Sequence, residues 1–263
     1  MNYSFMSFST PDFSLKESLE TAKRYGYVGF EPRLGLEHAH GIETSASAEF
    51  LVVARKVSEE IGVTLCCLAT SCTLAIPGEE LATKISEAKR VIDLANKIQC
   101  CAIRVFGGNL PDELSREKAT DTLKQSLTQL ATYAKGSNVY VCLETHDDWC
   151  DPFIVSEVAK ESGCAVNWDI MHTILTAKSQ PEDSFKLLKP YIRHIHVHDG
   201  IRNNEERRLV PIGKGEVDHS IPIKLLKESG YSGFISGEWI GWEPWEIHLP
   251  RELELLKNLE NLA

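Results

Sequence analysis

Short apolar segments alternate with longer amphipathic segments about eight times along this chain. The short segments are of strand length and rich in β-branched, aromatic or thiol side chains; they cover residues 3–8, 28–31, 63–68, 102–106, 139–143, 165–169, 194–198 and 234–238. The segments between them have the apolar spacing of helices. Because each helical crossover returns the chain to the same end of the sheet, this alternation requires parallel strands.

Three of the predicted helices show the pattern best. Residues 80–97 place Leu81, Ile85, Ala88, Val91 and Ile92 on one face, and residues 118–134 are followed by a glycine two positions later. The last predicted helix covers residues 250–262, because Pro250 suits the first turn of a helix.

Eight strand–helix units in 263 residues match one closed (β/α)8 TIM barrel of the α/β class. No linker rich in Gly, Pro or Ser divides the chain, so we expect a single domain over residues 1–263. An open doubly wound sheet is the alternative. It is weakened because the turn after the first strand, Ser9-Thr10-Pro11-Asp12, is not the G-x-G-x-x-G turn of dinucleotide-binding sheets.

Charge and cysteine usage exclude several classes of protein. Lys and Arg number 28 against 38 Asp and Glu, a net charge of −10, which predicts no nucleic-acid partner. No run approaches the roughly 18 apolar residues of a membrane helix, and no basic stretch precedes an apolar one at the N-terminus, so we expect neither a membrane partner nor secretion. Eight cysteines without a C-x-x-C pair fit buried thiols in a reducing compartment, and we expect a cytoplasmic protein.

Polar side chains end the last four predicted strands, where the active site of a barrel lies. In chain order these strand ends carry Glu144, Asp169, a histidine of the segment 194–198, and Glu238. Three carboxylates this close cannot all stay ionised without a counter-charge. The donor set predicts one divalent metal ion, with Mn²⁺ expected first; Mg²⁺ and Co²⁺ suit the set as well, and Zn²⁺ stays open.

The strand alternation favours one of the three histidines. If the strand is regular, His194, His196 and His198 share one face and are about 6.6 Å apart, so only one lies at the height of the other ligands. Since Asp199-Gly200 predicts a loop, we expect His196 to be that one, with His194 deeper and His198 outside the site.

The motifs L-E-T-H, W-D-I-M-H, H-I-H-V-H-D and S-G-E-W, with residues 213–218 between the last two, resemble those of the sugar phosphate isomerase/epimerase family. This is the xylose isomerase-like group of TIM barrels, which includes ketose 3-epimerases, inosose dehydratases and endonuclease IV. The resemblance covers essentially the whole chain and depends on the order and spacing of the motifs. It implies a divalent metal bound by Glu144, Asp169, His196 and Glu238.

The resemblance also implies roles for residues around the metal. Glu144 and Glu238 would be the catalytic acid–base pair as well as ligands. His172, three residues after the metal-binding aspartate, and Arg202, six residues after the metal-binding histidine, would bind oxygens of the substrate.

One position departs from the pattern of the ketose 3-epimerases. They carry a substrate-binding glutamate six residues after the first metal ligand, and this chain has Cys150 there. The departure argues against a free-ketohexose 3-epimerase unless Asp147 or Asp148 takes the place of that glutamate.

Three further polar side chains are candidates for substrate binding. Glu31 lies on the second predicted strand, Arg104 on the fourth, and His146 two residues after Glu144. For Arg104 a buried ion pair is an equal alternative, and His146 could instead orient a metal ligand.

The expected activity is that of an isomerase or epimerase of a small keto-sugar, or of a related polyol or keto acid. A metal at the carbonyl oxygen stabilises the enediolate that forms when a proton leaves the neighbouring carbon, and two carboxylates can remove and return that proton. If a β-hydroxyl group departs after the proton is removed, the same site is a dehydratase or lyase of a keto-cyclitol or 3-keto-sugar. This second reaction is the alternative.

Two remoter alternatives remain. A nuclease like endonuclease IV would need further histidines at the ends of the third and fourth strands, where residues 67–71 and 105–108 contain none. A non-catalytic sugar- or metal-binding relative is the other. We expect a small-molecule carbohydrate as the partner and leave a homo-oligomer open.

Overall fold

The structure, a computed structural model, describes residues 1–203 and 206–263, without the side chains of residues 202–207. The strands of the described chain are β1 (Asn2–Met6), β2 (Gly29–Glu31), β3 (Thr64–Leu65), β4 (Leu68–Thr73), β5 (Ala102–Phe106), β6 (Tyr140–Glu144), β7 (Ala165–Asp169), β8 (Ile192–Val197), β9 (Asp199–Asn203), β10 (Glu206–Val210) and β11 (Phe234–Gly237). Most of them match the predicted apolar segments to within a few residues.

The helices cross over between these strands. They are α1 (Leu15–Tyr25), α2 (Ala48–Ile61), α3 (Glu79–Lys97), α4 (Arg116–Ala134), α5 (Pro152–Ser162), α6 (Ile170–Leu175), α7 (Pro181–Leu188), α8 (Ser220–Glu228) and α9 (Trp245–Leu262). The first helix shows why such segments fold locally. Ser14 accepts a hydrogen bond from the backbone N–H of Glu17, whose carboxylate in turn accepts from the backbone N–H of Ser14, so unpaired donors at the helix start are satisfied.

The main sheet is a nearly closed barrel, as predicted. Its strands are parallel and follow the order β3-β2-β1-β11-β8-β7-β6-β5-β4. Cys66 and Cys67 separate β3 from β4, so these two strands form the third strand of the barrel in two parts. The seam closes through a parallel bridge between Arg33 and Ala69 and a hydrogen bond of 2.9 Å from Leu34 N to Ala69 O. The chain is thus an α/β barrel.

The C-terminal helix does not begin where the sequence analysis placed it. Helix α9 begins at Trp245, and Pro250 lies inside it. A proline in this position removes one backbone donor, whose acceptor would be the carbonyl of Glu246. Leu249 and Leu253, on either side of Pro250, are buried in the core, and this packing stabilises a helical turn that the proline alone would not favour.

The barrel interior changes character along its axis. A small apolar group fills one level, made by Cys67, Ala102, Cys142 and Ala165 from neighbouring strands. Charged and imidazole side chains fill the levels nearer the carboxyl ends of the strands; they include Glu31, Arg104, Glu144, Asp169, His194 and His196, all buried. Because TIM barrel interiors are normally packed with branched apolar residues, a charged interior marks the functional end of this barrel.

Two further expectations concern thiols and membranes. The eight cysteines are free thiols, and seven of them are buried, in agreement with the expected unreactive core cysteines. In the described part of the chain, no helix combines the length and apolar character that crossing a membrane requires.

Candidate metal centre

The four residues predicted to bind a metal lie on four strands that are neighbours in the sheet. Glu144 ends β6, Asp169 ends β7, His196 lies in β8, and Glu238 directly follows β11. Asp169 and His196 are register partners across β7 and β8. One donor atom from each of the four side chains lies within 4.8 Å of the other three, and all four residues are buried. The alternation of strand residues therefore brings the whole set together.

The imidazole of His196 occupies the middle of this group. Its Nδ1 lies 2.8 Å from Glu144 Oε1 and 3.3 Å from Glu238 Oε2. Burial acts to lower the pKa of His196, but the surrounding charges of Glu31, Glu144 and Glu238 outweigh it and raise this pKa well above its usual value. The carboxylates around His196 thus favour a positive charge at the centre of the site.

The carboxylates of the group are suited to a hard cation. Burial acts to raise the pKa of Glu238, but the neighbouring His196 outweighs it and lowers this pKa to about 2. The pKa of Asp169 is lowered too: burial opposes the shift, and His198 and His172 cause it. Ionised carboxylate oxygens are the ligands that Mg²⁺ and Mn²⁺ prefer.

Two buried oxygens of this group have no hydrogen-bond donor among the described residues, Glu144 Oε2 and Asp169 Oδ2. Charged groups lie near both: Arg104 Nε is 3.1 Å from the first, and His198 Nε2 is 3.0 Å from the second. Buried carboxylate oxygens without donors are costly unless a cation or a proton satisfies them. The donor set and these two oxygens fit a divalent metal ion.

Arg104 is held within the site by several partners. Its Nε faces Glu144, its Nη1 donates to Thr70 O at 3.0 Å, and its guanidinium stacks 4.0 Å from the centre of the Phe106 ring. The structure therefore contains the buried ion pair that the sequence analysis weighed for Arg104; a substrate contact by this residue stays a prediction.

Glu31 and His194 form a layer beneath the metal-binding group. Glu31 Oε2 lies 2.8 Å from His194 Nε2, and Glu31 Oε1 lies 3.1 Å from His196 Nε2. His194 is thus deeper in the barrel, as predicted. Both oxygens of Glu31 face imidazoles, so this carboxylate orients the ligand group, and its predicted contact with substrate stays untested.

His198 does not lie outside the site, so that expectation is wrong. It is buried, and it forms a second group of potential donors with Asp169 and His172. The reason is that no loop turns the chain away directly after β8, which ends at Val197. The chain continues as strand β9, which pairs with β10 in a separate two-stranded sheet, and His198, between β8 and β9, lies with its Nε2 3.0 Å from Asp169 Oδ2.

His146 and His172 make the half-buried upper edge of the site. Their ring centres are 3.9 Å apart, and His146 Nδ1 lies 2.7 Å from Asp147 Oδ1. Burial acts to lower the pKa of His146, but the hydrogen bond with Asp147 and the nearby carboxylates raise it to about 9. The backbone N–H of His172 donates to Asp169 Oδ1 at 2.9 Å, so the start of helix α6 is tied to a candidate ligand. The predicted substrate-binding side chain of Arg202 lies outside the described residues.

Two further polar residues lie near the predicted site residues. Asn167 precedes Asp169 by two positions, and its Nδ2 lies 3.2 Å from His196 Nδ1. Arg33 follows Glu31 by two positions and is buried at the end of β2. In both cases the period of two along a strand was the available signal, since it places these residues on the same face as a selected one.

Residues 19–259 match the family model described as the xylose isomerase-like TIM barrel. The chain belongs to this family. Its similarity to a 3-dehydroshikimate dehydratase of Bacillus anthracis is 24% identity over 194 residues, which cover 66% of this chain and 68% of that protein.

Solved structures of the xylose isomerase-like barrel type share the fold over nearly the whole length. A probable 3-DHS dehydratase involved in petrobactin synthesis from Bacillus anthracis has a TM-score of 0.80 and 21% identity, with 98% and 99% of the two chains covered. D-psicose 3-epimerase in the presence of D-fructose has a TM-score of 0.80 and 15% identity over 99% of each chain. A xylose isomerase-like TIM barrel protein from Mycobacterium smegmatis in complex with magnesium has a TM-score of 0.75 and 14% identity over 100% and 98%.

In this xylose isomerase-like barrel, the position of the missing epimerase glutamate is well defined. Cys150 is buried, and its Sγ donates to Asp147 O at 2.9 Å. Of the two aspartates considered as substitutes, Asp148 accepts a hydrogen bond of 2.6 Å from Leu110 N and lies 4.0 Å from Arg116, so it is engaged away from the site. Asp147 is paired with His146, and substitution of either aspartate for the glutamate stays a prediction.

Proposed function

We propose that this protein is a divalent-metal-dependent enzyme that removes a proton next to the carbonyl group of a small polyhydroxylated ketone and returns it as an isomerase or epimerase. One observation carries the proposal: donor atoms of Glu144, Asp169, His196 and Glu238 lie within 4.8 Å of one another, buried at the carboxyl end of the barrel. That end is where TIM barrel enzymes place their catalytic residues.

These four side chains would hold the metal ion. When bound, the cation would polarise the carbonyl group of the substrate and offset the negative charge that develops there. The solved magnesium complex of a family member supports a hard divalent ion. We propose Mn²⁺ first, with Mg²⁺, Co²⁺ and Zn²⁺ as alternatives, because three carboxylates and one imidazole suit all four in differing degrees.

The two glutamates are the candidates for proton transfer. In the order of the sheet, β7 and β8 lie between the strand that carries Glu144 and the strand that carries Glu238, so the two carboxylates enter the site from either side of Asp169 and His196. Such a pair can take a proton from one side of a carbon and return one on the other side, as an epimerisation requires. Arg104 offsets the charge of Glu144 at 3.1 Å.

The upper edge of the site would position the substrate. His146 and His172 are only half-buried, their ring centres are 3.9 Å apart, and a ring nitrogen of His172 lies within 4.8 Å of a carboxylate oxygen of Asp169. We propose that these imidazoles bind substrate hydroxyl groups, together with Arg202. The buried carboxylates beneath them would be kept from water once a substrate covers this edge, which strengthens their interactions with it.

Dehydration is a second candidate, and two observations favour it. A relative that matches 66% of this chain is a 3-dehydroshikimate dehydratase, and Cys150 stands where the ketose 3-epimerases have a substrate-binding glutamate. In this reaction a glutamate takes the proton, the electron pair of the C–H bond forms a carbon–carbon double bond, and the β-hydroxyl leaves as water after receiving a proton. His146, paired with Asp147, is placed to deliver that proton.

Exchange with heavy water tests the shared first step. The Mn²⁺-loaded protein is incubated in D₂O with a panel of ketoses, keto acids and 3-keto-sugars, and deuterium next to the carbonyl is followed by NMR. We expect incorporation into at least one compound, with an isomeric product for an epimerase or an enone absorbance for a dehydratase.

Matched variants separate the site from the surface in this assay. Glu144→Gln and Glu238→Gln should lose the exchange, and Glu246→Gln, at an exposed position of helix α9, should retain it. A protein that binds no metal in excess Mn²⁺, or that exchanges no proton of any compound in the panel, contradicts the proposal.

A further inference from the structure

Arg33 places a second buried guanidinium beside the candidate metal centre. Arg33 is 7% exposed, and it follows Glu31 by two positions on the inward face of the barrel. Nη1 donates to the carbonyl oxygens of Leu34 and Ala69, and Nη2 donates to Ser71 Oγ. Among the described side chains, none of the carboxylates comes within 4.0 Å of this guanidinium, so Arg33 has neutral partners only.

Arg104, the other buried arginine of the site, differs from Arg33 because it has a carboxylate partner. It has a carboxylate oxygen of Glu144 at 3.1 Å, whereas Arg33 has none so close. Burying a cation without a paired anion costs several kcal/mol, roughly, so such a group is rare unless it has a use. Burial and the neighbouring Arg104 lower the pKa of Arg33 to about 10, which still leaves its guanidinium charged near neutral pH.

Arg33 is within reach of a substrate at the metal centre. Glu31 contacts the ligand His196, and two residues further along a strand advance about 6.6 Å toward the mouth of the barrel. The hydrogen bonds of the guanidinium to Ala69 O and Ser71 Oγ hold it where the end of β2 meets β4, at the same end of the barrel as the ligand group. Ser71, its partner, is exposed, so the guanidinium reaches from the buried interior to the rim.

We infer that Arg33 binds an anionic group of the substrate and that the substrate is a carboxylate-bearing polyhydroxylated ketone. This inference rests on the proposed function and specifies its substrate class. A guanidinium has five N–H donors, and three are used by Leu34, Ala69 and Ser71, so two are left for one planar anion. Two parallel donors match a carboxylate. A phosphate dianion would call for more donors, and Arg104 is already engaged by Glu144.

The departure from the ketose 3-epimerase pattern agrees with this assignment. The glutamate that those epimerases use to bind substrate is absent, since Cys150 stands there, while Arg33, a cation without a carboxylate within 4.0 Å among the described side chains, follows β2. The absence of an acceptor for sugar hydroxyls and the presence of a donor for an anion both favour an acidic substrate over a neutral sugar.

Binding of matched probe pairs tests the inference. Calorimetry of the Mn²⁺-loaded full chain compares shikimate, a carboxylated polyhydroxy ring without a ketone, with its neutral carboxamide, and D-fructose 6-phosphate with D-fructose. We expect shikimate to bind at least tenfold more tightly than the carboxamide. Arg33→Gln should reduce this ratio below threefold and leave the carboxamide affinity unchanged. Arg33→Lys should keep part of the preference, and Arg90→Gln, on the exposed face of helix α3, should keep all of it.

Several results would overturn the inference. They are failure of the wild-type protein to bind shikimate, a wild-type ratio below threefold, or a ratio that Arg33→Gln leaves unchanged. If Arg33→Gln does not fold, an undiminished ratio in Arg33→Lys overturns it. If the preference for fructose 6-phosphate over fructose exceeds that for shikimate over its carboxamide, and Arg33→Gln abolishes it, the carboxylate assignment is wrong and the anionic group is a phosphate.

The same experiments keep this failure separate from failure of the proposed function. Deuterium exchange into neutral ketones that Arg33→Gln does not slow would leave the proposed function standing without the acidic substrate. A protein that binds no metal yet prefers shikimate through Arg33 would contradict the proposed function and leave the anion-binding role of Arg33 standing.

Discussion

Glu31 Oε1 lies 3.1 Å from His196 Nε2, which turns the other ring nitrogen of this histidine toward Glu144 and Glu238. A carboxylate that accepts a hydrogen bond from one nitrogen of an imidazole fixes the tautomer and the orientation of the ring, and so prepares the other nitrogen for a metal. His194, on the second oxygen of Glu31 at 2.8 Å, holds that carboxylate in place.

We therefore predict that Glu31→Gln weakens metal binding by about 10- to 100-fold, the usual effect of removing such a partner. The measurement is a titration of the metal-free protein with Mn²⁺, followed by the electron paramagnetic resonance signal of free Mn²⁺. Glu246→Gln serves as the control on the exposed surface. An unchanged affinity for Mn²⁺ in Glu31→Gln would show that the contact with Glu31 is not required to orient His196 for the metal.

Removal of the metal should destabilise the fold. The buried carboxylates of Glu144, Asp169 and Glu238 repel one another, and a divalent ion that binds only the folded state adds about 2.7 kcal/mol at a concentration 100 times its Kd. For a chain of this length that corresponds to roughly 5 to 10 °C in Tm. Differential scanning calorimetry with Mn²⁺ and with a chelator measures the difference. Equal Tm values under both conditions would contradict a resident metal at this group.

Much of the site could be predicted from the sequence because its information is local. Each of Glu144, Asp169 and Glu238 directly ends an apolar strand, and parallel strands bring their ends to one edge. The period of two then selects the inward-facing residues. The same period also indicates Asn167, two positions before Asp169, and Arg33, two positions after Glu31.

The remainder depends on contacts that the sequence does not encode locally. His198 was placed outside because Asp199-Gly200 resembles a loop, whereas the Asp199 carboxylate accepts hydrogen bonds from the backbone N–H groups of Gly200, Gly213, Gly215 and Val217. These bonds join segments up to 18 residues apart and hold residues 213–217 against the start of β9. The partner of Arg104 and the helix turn around Pro250 are likewise decided by tertiary packing.

Removing only one member of the ion pair between Arg104 and Glu144 should destabilise the folded protein. Arg104→Met removes the cation beside Glu144 Oε2, a buried oxygen, and leaves only His196 on the other oxygen, so we predict a loss of about 3 to 5 kcal/mol in the free energy of unfolding of the metal-free protein. Urea denaturation measures it. The double variant Arg104→Met/Glu144→Leu should recover most of this stability while binding no metal, since replacing both members of a buried pair is often neutral. A single variant as stable as the parent would mean that water already screens the pair.

The last prediction separates the two candidate reactions through His146. Its Nδ1 lies 2.7 Å from Asp147 Oδ1, its ring centre lies 3.9 Å from that of His172, and it is the group that we propose to protonate a departing hydroxyl. In a dehydratase, His146→Gln should reduce enone formation by about 10²- to 10⁴-fold, the usual contribution of a general acid, while deuterium exchange next to the carbonyl continues. In an isomerase or epimerase, where Glu144 and Glu238 move the proton, product formation and exchange should fall together or not at all. Measuring both rates on the same samples by NMR gives their ratio. A ratio that does not change in His146→Gln, in a protein that forms an enone, would assign the leaving-group proton to another residue.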